Sequence, residues 1–308
     1  MPSALPADPG DYGPGGRSEW LDVDWREHQR WLPVGGRWVN VIELGTGDPI
    51  VFVHGLSGSW QNFLENLPVM AHEHRVVALD LPGFGASDMP TEDISISAYA
   101  RCVADVCQQL GVERATVVGN SMGGFIGAEL AIEFAELVDR LVLVSAAGLT
   151  TEGGVHDSVI GALGRLDDVA QAYFGWMVSR SNALTCRPRS RRLMLGIVTP
   201  HADQLDPALA AEQVRGSGKP GFVAALDALN HYPIRDRLER IGCPTLIVWG
   251  EKDRLIPVKD ADRFAELIPD SRKVVWPDTG HMAMMERPRA FNRLLEAFVR
   301  ETAVQPAA

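Results

Sequence analysis

Residues 115–124, Ala-Thr-Val-Val-Gly-Asn-Ser-Met-Gly-Gly, decide the reading of this chain. The run Ala115–Gly119 has the composition of a strand buried on both faces. Met122–Ala135 carries its apolar residues at helical spacing. Ser121 therefore falls on the turn between them, in the form G-x-S-x-G. A sharp strand-to-helix turn pushes a hydroxyl out at the C-terminal edge of a sheet. Neighbouring backbones then pass so close that residues 119 and 123 must be small. The helix start beneath the serine presents unpaired N–H groups and a positive dipole end to a developing anion.

Outward from this turn, Pro49–His54, Arg75–Leu81, Leu141–Ser145, Thr245–Trp249 and Lys273–Trp276 repeat the short apolar pattern, and Trp38–Leu44 alternates. Helical spacing returns in Ile96–Leu110 and Arg289–Val299. Strand and helix alternating this often predict an α/β class fold, a mostly parallel sheet covered on both faces. The alternation stops between about Leu149 and Arg240. There the helical patterns Asp168–Val178, Pro207–Arg215 and Gly221–Leu229 stand with a basic cluster, Arg187, Arg189, Arg191 and Arg192. The expected division is an N-terminal extension at 1–28, a sheet core at 29–148 and 241–308, and an inserted helical cap at 149–240. The extension, rich in Pro, Gly and acid, is expected to be poorly ordered or draped over the surface.

Composition narrows the partners. The chain has 308 residues, 46% of them hydrophobic and 22% charged, with a formal net charge of −11. That sign repels nucleic acid and anionic lipid surfaces, which leaves a small-molecule substrate as the expected partner. No run of 18 apolar residues occurs, and the first 28 residues have the pattern of neither signal peptide nor anchor. Cytoplasmic placement as a monomer or homodimer is expected. Cys102, Cys107, Cys186 and Cys243 are too scattered for a disulfide framework and read as reduced packing residues. The histidines follow no metal-ligand spacing, and neither a dinucleotide fingerprint nor a P-loop is present, so no metal and no cofactor are expected.

Four further landmarks follow in order: His54-Gly55 after a buried strand, Asp80-Leu-Pro-Gly-Phe-Gly-Ala-Ser87, Gly250-Glu-Lys-Asp253, and Thr279-Gly280-His281. With Ser121 they resemble the α/β-hydrolase superfamily over about residues 30 to 302. The resemblance implies the α/β-hydrolase fold, with Ser121 as nucleophile, Asp253 as the acid and His281 as the base. The chemistry agrees with those residue types. A serine hydroxyl needs a base to take its proton, and imidazole titrates near neutrality. A carboxylate then holds the ring's tautomer and stabilises the imidazolium. The expected oxyanion donors are the backbone N–H groups of Met122 and Leu56. Asp80, the rival carboxylate, fits better as the organiser of its own Pro-Gly turn.

A serine at position 121 points to esters, thioesters, amides or the related C–C bonds. Gly119-Asn-Ser-Met-Gly-Gly124 resembles the meta-cleavage C–C hydrolases. Two features depart from them: the His54–Trp60 loop lacks their Gly-Pro-Gly insertion, and Met282 stands where they usually carry Trp. Carboxylic ester hydrolysis is the expected activity, with C–C hydrolysis as the alternative and a non-catalytic ligand-binding protein as a third reading. An arginine of the 187–192 cluster pointing into the site would favour the C–C reaction, since guanidinium matches a carboxylate. Trp60, Phe125, Trp176 and Met282 are expected to line the substrate pocket. Activity should survive dialysis against a strong chelator; a loss restored by a divalent ion would contradict the metal-free expectation.

Overall fold

The computed structural model describes residues 8–150 and 178–301. Its sheet comprises β1 (Gln29–Val34), β2 (Arg37–Leu44), β3 (Pro49–Val53), β4 (Arg75–Leu79), β5 (Ala115–Asn120), β6 (Val138–Val144), β7 (Thr245–Gly250) and β8 (Ser271–Trp276). They pair in the order β1-β2-β4-β3-β5-β6-β7-β8. The β1–β2 and β2–β4 pairs are antiparallel and the rest parallel. This is the α/β arrangement of a mostly parallel sheet.

Burial on both faces explains the unbroken apolar strands. In β3, Ile50 and Phe52 join one core, and Val51 and Val53 join the core on the opposite face. The helices Ile96–Gln109 and Met122–Glu133 pack on the side of Val51 and Val53. Pro288–Val299 contributes Phe291, Leu294, Leu295 and Phe298 to the other side. Ser95 caps Ile96–Gln109 by accepting the Ala98 N–H, and the helix ends before Gly111, whose φ is 66°.

Strand β1 is absent from the sequence expectation. Its residues are mostly exposed and it carries Pro33, so it has neither the apolar run nor the alternation of a core strand. The usable signal was Gly35-Gly36, both at positive φ, which turn β1 back onto β2 as a hairpin.

The described part of the extension is tied down. Trp20 is buried, its Nε1 donates to Glu65, and Ser18 donates to the same carboxylate. Between β6 and β7 the described residues, 178–240, form helices, including Ser181–Thr185, Pro188–Leu195, Pro207–Arg215 and Phe222–His231. Residues 168–177 of the first helix expected there lie outside the described residues. Among the described residues, no helix is long and apolar enough to cross a membrane.

A close backbone crossing lies where β5 turns into its helix. A Cβ on Gly123 would stand 2.0 Å from Val53 O, and one on Gly119 would stand 2.2 Å from Gly123 O. Both obstacles are backbone, so neither can swing away. Gly123→Ala should lower the free energy of unfolding by at least about 2 kcal/mol, within the range for overpacked cores. Urea unfolding checks this, and a wild-type midpoint would contradict the geometry.

Candidate active site

Ser121 takes φ 56° and ψ −119°, a region that a side chain rarely occupies and that costs on the order of 1–3 kcal/mol. Hydrogen bonds hold it there. Its N–H donates to Val144 O at 2.9 Å, and its carbonyl accepts the N–H groups of Phe125 and Ala147. The serine joins the end of β5 to the start of the helix and opens into a cavity of about 530 Å³.

His281 lines the same cavity. Its Nδ1 lies 2.8 Å from Asp253 Oδ2, and both side chains are almost wholly buried. The other oxygen of Asp253 accepts the N–H groups of Leu255 and Ile256 at 2.9 and 3.0 Å. One carboxylate thus closes its own turn with Oδ1 and meets the imidazole with Oδ2. The two loops touch: a Cβ on Gly250 would stand 2.1 Å from Gly280 O, and Lys252 N–H donates to Thr279 O. The backbone of His281 is also engaged, its N–H donating to Val198 O at 2.8 Å and its carbonyl accepting from Asn120 Nδ2 at 3.2 Å. Asn120 therefore ties the histidine to the strand that carries the serine.

Met122 opens the helix after Ser121, so its N–H has no intrahelical acceptor. Leu56 lines the cavity within the turn Gly55–Gly58, which closes by Gly58 N–H to Gly55 O at 3.0 Å with Ser57 at φ 60°. That bond leaves the Leu56 N–H outside the turn's own pairing. A Cβ on Gly55 would stand 3.0 Å from that of Ser121, so the loop and the serine are in contact. Asp80 holds this loop from behind. It accepts Trp60 N–H on Oδ1, and Ala86 N–H and Asn40 Nδ2 on Oδ2.

The expected pocket lining needs correcting. Met282 lines the cavity, but Trp60 and Phe125 do not. Trp60 is turned toward the N-terminal segment and packs on Trp25 with ring centroids 4.8 Å apart. Phe125, one helical turn after Ser121, points into the core beneath the helix and meets Tyr232 edge-on. Trp176 lies outside the described residues. The lining that sequence reading missed comes from the β6–β7 segment: Leu195, Val198 and Phe222 supply apolar wall, while Gln213 and Lys219 supply polar groups. No arginine of the 187–192 cluster reaches the cavity. Arg187, Arg189 and Arg192 are exposed. Arg191 is buried, but its donors go to the carbonyls of Thr185, Ala202 and Asp203.

A profile of the α/β hydrolase fold matches residues 48–288, and the chain belongs to that family. Over 286 residues it is 25% identical to the 2-hydroxy-6-oxo-6-(2'-aminophenyl)hexa-2,4-dienoic acid hydrolase of Metapseudomonas resinovorans, spanning 88% of this chain and 90% of that one. Among solved structures it is similar to the meta-cleavage product hydrolase CumD, with a TM-score of 0.70 and 25% identity over 90% of this chain and 100% of the other. It is also similar to Est816, an N-acyl homoserine lactone degrading enzyme, with a TM-score of 0.67 and 28% identity over 87% of this chain and 100% of the other.

His54, at the root of the Leu56 loop, gives a pH test. Full burial pushes its imidazole below the ordinary value of 6.5, against the opposing pull of Asp80 and the Gly55 carbonyl. Its Nε2 accepts the Leu81 N–H, which leaves the proton on Nδ1, 2.7 Å from Gly55 O. Only the unfolded chain takes up the extra proton near pH 6.5. The stability contribution is therefore complete above that pH and is lost as pH falls below it. Between pH 7.5 and 5, wild type should lose up to about 1.4 kcal/mol per pH unit more than His54→Gln in urea unfolding. Equal slopes would contradict the neutral assignment.

Proposed function

We propose that this chain is a serine hydrolase that cleaves a carboxylic ester of a small to medium apolar substrate through an acyl-enzyme. The observation that carries the reading is that Ser121 and His281 open on one largely apolar cavity while the far nitrogen of His281 meets a buried Asp253. His281 takes the proton as Ser121 Oγ attacks the ester carbonyl, and Asp253 stabilises the imidazolium that forms. The N–H groups of Met122 and Leu56 receive the negative charge on the carbonyl oxygen. Collapse expels the alcohol, which leaves with the proton from His281. Water, activated by the same base, then releases the acid and restores the serine. The helical β6–β7 segment acts as the cap that walls the acyl site.

C–C bond hydrolysis is the second reading, favoured by the relatives and by Lys219, the sole lysine or arginine among the described lining residues. That reaction needs a firm anchor for a substrate carboxylate and a proton delivered to carbon. The full engagement of Arg191 by backbone carbonyls weighs against the arginine anchor it would most naturally use.

A panel of 4-nitrophenyl esters of rising chain length, run beside a vinylogous 1,5-diketone acid, separates the two readings. The ester reading expects kcat/KM on the best ester to exceed that on the diketone acid by at least about 10-fold, and the reverse order would replace it. In either case Ser121→Ala should cost on the order of 10⁶ in kcat, as in measured triads. A variant that kept a tenth of wild-type activity would remove Ser121 from the role of nucleophile.

A further inference from the structure

Behind His281, away from the cavity, lies a second carboxylate. Glu286 is fully buried at the end of the short helix Ala283–Glu286. Its Oε1 accepts the N–H groups of Gly280 and Met282, both at 3.1 Å, and its Oε2 lies 3.0 Å from the Gly280 nitrogen. These two residues flank His281 in sequence, so one side chain grips the backbone on both sides of the base. The Tyr12 hydroxyl, from the N-terminal segment, donates to Oε2 at 3.1 Å and also bonds to Thr199 of the β6–β7 segment.

The same segment is fixed twice more. Gly13 N–H donates to Glu286 O at 2.8 Å, and Arg287 Nη1 donates to Gly10 O at 3.0 Å. Arg287 also donates to Thr279 Oγ1 and Asp278 O, on the approach to the histidine. That approach is bent, since Asp278 sits at φ 50°. An unassisted loop of this shape would relax, and a small rotation at residue 281 would swing the imidazole away from Ser121 or Asp253.

We propose that Glu286 is a positioning residue for His281: by accepting the N–H groups of Gly280 and Met282 it fixes the loop that aims the imidazole, with Tyr12 holding the carboxylate in place. The inference rests on the serine hydrolase reading of the site. What matters is the acceptor oxygen at its present reach rather than the charge. Burial raises the pKa of Glu286, while its two backbone donors and Tyr12 oppose the shift. Burial likewise raises that of Tyr12, with the Glu286 charge adding to it, so the phenol keeps the proton it donates.

Charge and reach separate in two variants. Glu286→Gln keeps the reach and an acceptor oxygen but has no charge. Glu286→Asp keeps the charge but withdraws it by one methylene. With full-length protein and 4-nitrophenyl butyrate, kcat is measured per serine labelled to completion by a fluorophosphonate, so that unfolded molecules do not count. Glu286→Asp should lower kcat about 30-fold with KM within twofold of wild type, the size expected when a reacting group is misplaced by a fraction of an ångström. Glu286→Gln should retain a third of the wild-type kcat or more. Tyr12→Phe, which leaves the carboxylate in place but removes the hydroxyl that donates to Oε2, should lower kcat at least threefold at unchanged KM. Wild-type kcat in both Glu286→Asp and Tyr12→Phe would overturn the proposal. So would an Asp variant more active than the Gln variant, since charge would then be the operative property. If the wild type labels at Ser121 and turns over while the variants match it, the positioning role alone fails. If the wild type neither labels nor turns over, the functional reading beneath it fails.

Discussion

A single close approach organises the molecule: the backbone of Val53 passes where a side chain on Gly123 would have to stand. Strand β3 can lie against β5 only if the helix after β5 carries no side chain at its second residue, Gly123. That contact seats Ser121 at the sheet edge in its positive-φ conformation. It also brings the loop after β3, with Gly55 and Leu56, against the serine. The positions of Ser121, the proposed nucleophile, and of the Gly55–Gly58 turn beside it are thus consequences of one packing constraint, built from backbone rather than from adjustable side chains. Sites made this way reorganise little during reaction, and preorganised donors do their work under that condition.

Asp253 and His281, the proposed acid and base, obey the same logic on the far side of β5. Gly250 is bare because Gly280 O occupies its side-chain space, so the Asp253 turn and the His281 loop are locked in register. Asp253 then serves both as the closure of its own turn and as the partner of the imidazole. A carboxylate with one oxygen fixed by two backbone donors cannot rotate away from the histidine. Asn120 completes the link by joining His281 O to the strand ahead of the serine.

Much of this was legible in the sequence, and the limits were physical. Strand runs, helix spacing and the G-x-S-x-G turn are local patterns, and the core strands and helices fall close to where they are expected. Asp253 and His281 could be singled out because each follows a buried strand at the position where the α/β-hydrolase resemblance puts its acid and its histidine. Of the pocket only Met282 was legible among the described residues, because residue type does not say which way a side chain faces. Phe125 is apolar and adjacent to the serine in sequence, yet one helical turn directs it into the core. Trp60 follows the Gly55–Gly58 turn but folds back onto Trp25. The grip of Glu286 on the histidine loop was invisible for another reason. Its tyrosine partner lies 274 residues away, in a segment whose composition suggested only a draped tail.

The central claim is that Ser121, activated by His281, forms the covalent bond to the substrate. The most direct measurement is intact-mass and peptide-level mass spectrometry after treatment with a fluorophosphonate. The account predicts one adduct per chain, carried by the peptide containing Ser121 and accompanied by full loss of activity. It also predicts that labelling is lost in His281→Ala. An adduct on any other residue, or turnover that persists in fully labelled protein, would contradict it.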